Sequence, residues 1–470
     1  MINLLFNPFD SAFDEFQPAD LGKLLTVAEG WYIEYKGGLV STKSIAKSLA
    51  AFANHYGGWI FYGVGEAGGG THCAGSFPGI DQLSVPNFIN DIKNAAKDII
   101  NPSPYFEYRR IDGPCDEIGL ASGKSIVVVG VPIGPDAPYI HNDGKIYRRI
   151  ADSSDPKPET DKNVLDNLWN RRQQARSRLA EFLEETPILS EDEDKVSYLD
   201  LFLLPDPLGY ANQVAKITFN EFVEFLKEPP PENKPSMYLK FDNFFTMADG
   251  MIARHIYDNN PYNLTLTWKF YRNGASVISI PFSSAIVDEV IKGRWLSGYN
   301  QERAFINLLQ QGNYNASFVN DINPHFSVIV ALLEQNRCLL EKTGIRGPYF
   351  AKAILRNIWR RVPFVDTDLF IGFVNLHGIP VVQFDKAYAP PGRTFETLVQ
   401  LHDIRHFDEA NGANILTEDA GRILGPIFNS LGLPRSALLS ESEEINEDNS
   451  LFGAGNRAVE VGKHRRRIFG

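Results

Sequence analysis

The sequence predicts an α+β protein with two such domains in series, and three observations carry that prediction. Residues 29 to 66, EGWYIEYKGGLVSTKSIAKSLAAFANHYGGWIFYGVGE, read as strand, helix and strand in one run. Hairpin turn signals, Asn142-Asp143-Gly144 and Asn273-Gly274, stand between apolar stretches in both halves of the chain. An acidic break, PILSEDEDK over 187 to 195, separates the halves.

In chain order, Phe6, Phe9, Phe13 and Phe16 recur every three to four residues and are expected to pack on a core. Ala19 to Thr26 reads as a short helix. Trp31 to Lys36 alternates apolar and polar residues, the period of a half-buried strand. Ser41 and Thr42 are N-cap residues, and Ile45, Ala46, Leu49, Phe52 and Ala53 follow at helical spacing, so a helix is expected over about Lys43 to Asn54. Gly57-Gly58 ends it, and Trp59 to Val64 is a short apolar run suited to a strand covered on both faces. A glycine-rich loop, Ala67 to Gly75, follows without the G-x-x-x-x-G-K-[ST] pattern of a nucleotide-binding loop. Val85 to Ile100 reads as a helix, and Tyr105 to Ile111 and Lys124 to Pro132 as strands. Pro138 to Ile140 and Lys145 to Arg149 form a hairpin. Ser153 to Pro158 has the composition of a linker, and Val164 to Leu183 that of a long helix. The other face of that helix carries Arg171, Arg172, Arg176 and Arg178; contact with RNA is one reading of it, and a solvated face with acidic neighbours Glu181, Glu184 and Glu185 is the commoner one.

The second half opens near Val196 with LDLFLLPD. Phe219 to Lys227 is helical, Leu264 to Tyr271 and Ala275 to Phe282 pair as a hairpin, and Phe305 to Leu309, Phe326 to Leu340 and Tyr349 to Arg361 are expected as helices. Pro363 to Val374 and Ile379 to Phe384 are expected as a further hairpin across Leu376-His377-Gly378. Asp366 and Asp368 alternate on the first of those strands. His402 and His406, four apart in LHDIRHFDE beside Asp403, share a helix face but lack a third ligand, so no catalytic constellation is read here. The expected organisation is a nucleic-acid-processing domain with its closing helix over 1–187, an acidic linker over 188–195, a regulatory or assembly domain over 196–435, and a charged, disordered tail over 436–470.

Composition narrows the function classes. With 470 residues, 43% of them hydrophobic, the chain can bury more than one core. A net charge of −12 and a pI near 5.3 give no global attraction to nucleic acid or an anionic membrane, so any such site must be a local basic groove. Cys73, Cys115 and Cys338 are too dispersed for a disulfide framework or a zinc site and fit a reducing compartment. No leader or membrane span is apparent, so a soluble, cytoplasmic protein is expected.

The chemistry, if any, lies with three acids at the edges of the β-α-β run. Glu29 and Glu34 point to opposite faces of one strand, or about 140° apart on one helix, and converge only through a bend that Gly30 permits. In a parallel unit Glu66 lies just past the second strand, beside the first. Three carboxylates so placed can share Mg²⁺ or Mn²⁺, activate water and stabilise a phosphate oxyanion; by spacing alone, three solvated surface acids are the commoner outcome.

The run E-x4-EYK followed by AFANHYGGWIFYGVGE, and the later HNDGKIYRRIADSS, resemble the Schlafen family and its prokaryotic Alba-like Schlafen domain, over roughly residues 18 to 185. That resemblance implies an Alba-type core and, in its nuclease members, a metal-binding acid triad that cuts structured RNA such as tRNA. It places the triad on Glu29, Glu34 and Glu66. His55 and Tyr56 depart from the commoner residues before the glycines, and Glu66 stands where Asp is usual. Candidate phosphate contacts are Lys36, Arg109, Arg110, Lys145, Arg148 and Arg149.

The leading expectation is therefore a metal-dependent endoribonuclease acting on tRNA or another folded RNA, in growth arrest or antiviral defence, with Glu29, Glu34 and Glu66 holding Mg²⁺ or Mn²⁺. The alternative is a non-cleaving DNA- or RNA-binding regulatory protein in which the acids are structural. A small-ligand sensor using Ala67 to Gly75 lacks a phosphate motif. The second domain is expected to regulate, or to assemble the chain into a homo-oligomer.

Overall fold

The computed structural model describes residues 2–150, 153–185, 193, 196–227, 239–256, 265–293, 295–312, 314, 318–392, 397–402, 412–438 and 450–469, without the side chains of 150, 153–154, 412–414 and 463–469. The proposed linker at 188–195 lies almost wholly outside the described residues, as do Asp403, His406 and the acidic run at 441–444. The chain has mixed helix and strand architecture and divides into two compact units. One is Met1–Glu181 with Asp206–Val214; the other is Phe182–Pro205 with Ala215–Gly470.

The first unit is built on a five-stranded sheet. Its strands are β1 (Ile33–Lys36), β2 (Gly58–Tyr62), β3 (Ile80–Asp81), β4 (Glu107–Asp112) and β5 (Lys124–Val131). β1 and β2 run parallel, with Glu34 opposite Ile60, and helix α1 (Thr42–Asn54) makes the crossover. β5 pairs antiparallel with β2, β3 and β4. The Ser41 hydroxyl accepts from Ser44 N and so caps α1.

Alternation along β2 and β5 divides the core. Ile60, Tyr62, Val127, Val129 and Val131 meet Ile45, Leu49, Phe52 and Ala53 of α1 and Phe88 and Ile92 of helix α2 (Val85–Asn94). Trp59, Phe61, Ile126 and Val128 face the other way, onto Phe9, Phe13 and Phe16. Phe9 meets Trp59 edge-on at 5.3 Å, and the Trp59 indole donates to Phe6 O at 2.8 Å. A two-stranded hairpin, β6 (Tyr147–Ile150) with β7 (Ser153–Pro158), precedes helix α3 (Lys162–Glu184). The linker expected at Ser153–Pro158 is thus a paired strand.

The second unit carries an eight-stranded sheet whose pairings are all antiparallel. At its centre β8 (Tyr198–Leu204) is buried throughout. A helix, α4 (Phe219–Lys227), and the strands β9 (Asn243–Met247), β10 (Gly250–His255), β11 (Leu266–Tyr271) and β12 (Ser276–Pro281) follow. Two sequence expectations are corrected here. Tyr349 to Arg361 was expected as a helix, but Tyr349–Arg356 is a strand paired with β8, Leu199 opposite Leu355. A short apolar run has no period of its own, and burial on both sheet faces decides it. Pro363 to Val374 was expected as a strand, but Asp368–His377 is a helix. Thr367 caps it, its hydroxyl accepting from Phe370 N, and Gly378 follows its end. The region read as a disordered tail holds a helix, Leu451–Phe469, with Leu451, Ala454, Ala458 and Val461 buried.

Candidate nucleic-acid interface

Glu34 sits at the centre of β1 on the face that looks toward α1, and is fully buried. Its two carboxylate oxygens are both used. Oε1 accepts from the Ser48 hydroxyl of α1 at 2.8 Å and from Lys36 Nζ at 2.9 Å; Oε2 accepts from Arg149 Nη1 at 2.7 Å. Arg149 reaches in from β6, donates Nε to Gly30 O at 2.7 Å and Nη2 to Ile33 O at 3.0 Å, and lies over the Phe52 ring. The acid therefore clasps hairpin, strand and helix together. Burial works against the Lys36 ammonium, but the Glu34 carboxylate, helped by Glu29 and Asp155, outweighs it and holds its pKa above the usual lysine value.

The other two acids go elsewhere. Glu29 is half-buried; its N–H donates to His72 O at 2.7 Å and its Oε1 accepts from Tyr35 N at 2.9 Å. Burial raises its carboxyl from 4.5 to about 7, against the pull of the Tyr35 N–H and Lys36. Glu66 lies in a two-residue strand paired with Ala74–Ser76, is exposed, and meets His72 Nδ1 at 2.5 Å.

This arrangement corrects the metal expectation. Among the described residues no group of three or more His, Cys, Asp or Glu side chains can hold a metal ion. Glu29, Glu34 and Glu66 do not form a Mg²⁺ or Mn²⁺ site, and the metal-dependent endoribonuclease loses its centre. The physical reason is local. The parallel register turns Glu34 inward under α1, where two cations saturate it, while Glu66 turns to its own loop.

The six basic candidates divide in the same way. Arg109 donates Nη1 to Phe16 O at 2.8 Å and to Phe13 O at 3.1 Å and stacks on Phe16, so it anchors the N-terminal segment. Arg149 is buried in the clasp. Arg110 is exposed and bonds Asp112 at 2.7 Å; Lys145 is exposed, 3.9 Å from Asp143. Arg148 is half-buried and paired with Glu159, and Lys36 is half-buried beside Glu34.

Asn54, the last residue of α1, fixes where the hairpin lies. Its Nδ2 donates to Tyr139 O at 2.9 Å and Tyr147 O at 3.1 Å, and its Oδ1 accepts from Tyr139 N at 2.7 Å. The next two residues begin a surface that sequence reasoning missed. The His55 ring stacks on Trp31, with centroids 4.8 Å apart, and lies 3.9 Å from Tyr56; Tyr56 also meets Trp31 at 5.8 Å and Tyr32 at 6.0 Å. The signal was present as His55-Tyr56, the departure from the family pattern, but no spacing rule links it to Trp31.

Residues 29–158 match the family described as Schlafen, AlbA_2. An Alba-like, Schlafen-associated domain therefore spans those residues, a fraction of the 470-residue chain. No curated protein matches the chain. Among solved structures it is similar to that of the DIP2311 protein from Corynebacterium diphtheriae, at 14% identity and a TM-score of 0.20, over 34% of this chain and 32% of that one. The chain thus spans about a third of that relative's length, a likeness at which neither fold nor function is transferred. Among the described residues no helix is long and apolar enough to cross a membrane.

Proposed function

We propose that this chain is a non-cleaving nucleic-acid-binding protein with a regulatory role, whose first unit holds RNA, tRNA included, or DNA. One observation carries the reading: the Glu34 carboxylate is buried and consumed by Arg149, Lys36 and Ser48, so the acid ties strand, helix and hairpin together instead of presenting itself to a metal. Lys36, Arg110, Lys145 and Arg148 are then the phosphate contacts, with Arg109 and Arg149 as internal anchors. The second unit, with a core of its own, serves regulation or assembly of like chains.

The test is fluorescence anisotropy with end-labelled tRNA, single strands and duplexes over a range of salt. Binding should weaken as salt rises, because neutralised phosphates release counterions. Every nucleic acid should be recovered at full length with Mg²⁺, Mn²⁺ or EDTA. Absence of salt-dependent binding to any of them would overturn the reading.

A further inference from the structure

The surface around Trp31 narrows that reading and rests on it. Rings from three separated segments meet there. Phe6 stacks on Tyr32 at 5.4 Å, Tyr32 adjoins Tyr56, and Tyr56 adjoins both Trp31 and His55. In a globular core such a row would be covered, yet Trp31 is 36% exposed and Tyr56 44%. Among the described residues His55 Nδ1 has no hydrogen-bond partner, and the imidazole packs against the Trp31 and Tyr56 rings.

The charge around the rings selects the kind of ligand. Burial first, then Arg148 and Arg171, lower the His55 pKa to about 4, so the ring is neutral at ordinary pH and lies in a positive field. Arg171 supplies a charge that no carboxylate cancels among the described residues. Its guanidinium donates to the carbonyls of Asn54 at 3.0 Å, Ala53 at 3.2 Å and Gly134 at 3.4 Å. Arg148 is paired with Glu159. A positive field beside open aromatic faces disfavours a cationic guest and favours an anionic chain carrying flat groups. Nucleic acid has that chemistry, and only unpaired bases offer their faces; in a duplex those faces are already stacked.

We propose that Trp31 and Tyr56 form a stacking platform for unpaired bases of single-stranded nucleic acid, with Arg171 drawing its phosphate chain to the rings. Stacking is indifferent to the sugar, so RNA and DNA single strands share this chemistry.

The full chain is titrated with labelled oligo(dT) and oligo(U) of about 15 nucleotides, within the site sizes such grooves cover, and with a duplex of equal length. Both single strands should bind more tightly than the duplex and quench tryptophan fluorescence. Trp31→Ala and Tyr56→Ala should each weaken single-strand binding about tenfold, in line with the alanine-scan cost of one stacked base. Trp31→Phe should retain most of it. Trp169→Ala removes an exposed indole two residues, hence roughly half a turn, from Arg171 and should change nothing. Thermal melts accompany each variant, and Trp31→Phe separates a lost ring from a lost fold. Preference for one sugar with the ring dependence intact would identify the source. Tight binding that ignores Trp31 and Tyr56, or favours duplex, would overturn the platform and leave the nucleic-acid reading standing; no binding of any nucleic acid would overturn both.

Discussion

Glu34 and Glu66 carry the same functional group and should respond to mutation in opposite ways. Glu34→Ala leaves Arg149 buried and Lys36 half-buried without their carboxylate, a change that costs about 3–5 kcal/mol where one partner of a buried pair is lost. Glu66→Gln alters an exposed side chain and should stay within about 0.5 kcal/mol. Urea midpoints of the two variants would check the contrast, and equal, small effects would contradict the clasp. Glu29 gives a pH dependence. Its folded pKa, about 7, lies above its ordinary 4.5, so between those values the folded state binds more protons than the unfolded one. Its contribution is therefore fully present below pH 4.5 and is lost as pH rises through 7. His55, lowered to about 4 from 6.5, works the other way over pH 4 to 6.5, because there the unfolded state holds the extra proton. The difference between wild type and Glu29→Gln at each pH isolates the glutamate. Relative to wild type, Glu29→Gln should gain stability steadily from pH 4.5 to 7.5; a flat difference would refute the shift.

The glycine pair ending α1 shows an element held by close backbone approach. Gly57 has φ +71, and a Cβ there would lie 2.7 Å from Val131 O; one on Gly58 would lie 2.5 Å from Tyr32 O and 2.4 Å from the Phe52 ring. Gly57→Ala should cost about 1–2 kcal/mol from the left-handed backbone alone, plus the clash, measurable as a lowered thermal midpoint. The double glycine was legible as a helix stop, but not as the place where strand, helix and loop touch. The reverse holds for Tyr349–Arg356 and Asp368–His377. In the first, the apolar run was expected as a helix, and pairing with the central strand decided otherwise. In the second, Thr367 is a readable N-cap, but the extended character of Pro363-Phe364-Val365 just before it masks the helix start.

At the scale of the whole molecule, chain order and spatial order diverge. Residues Asp206–Val214 belong to the first unit although a strand of the second precedes them. Tyr210 donates its hydroxyl to Asp136, and Asn3 N donates to Ala211 O at 3.1 Å. A fragment ending at 187 would lose these contacts, which is why binding is tested on the full chain. Within the second unit, the helix Leu451–Phe469 is tied down through Arg457, which pairs with the buried Asp366 carboxylate and donates Nη2 to Asp366 O at 2.7 Å. Gln301 N also donates to that carboxylate at 2.7 Å. Arg457→Ala should destabilise the unit by about 3 kcal/mol, since a buried charge loses its partner. Hydrogen exchange should then quicken over 451–469; protection as in wild type would show that the helix is held without this pair.

The sequence by itself determined the parallel β-α-β unit, the double-glycine turn, the hairpin at Asn273-Gly274 and the aromatic packing of Phe9, Phe13 and Phe16. Each of these is set by the period or backbone chemistry of neighbouring residues. It also placed Glu34 on the same strand as Lys36. Only the tertiary structure decided what that carboxylate does, because its partners are Ser48, on the crossover helix, and Arg149, on a hairpin 115 residues along the chain. The same holds for Trp31, His55 and Tyr56. A strand end and a helix end become one surface only when the crossover closes, and spacing carries no record of which side chains then face solvent.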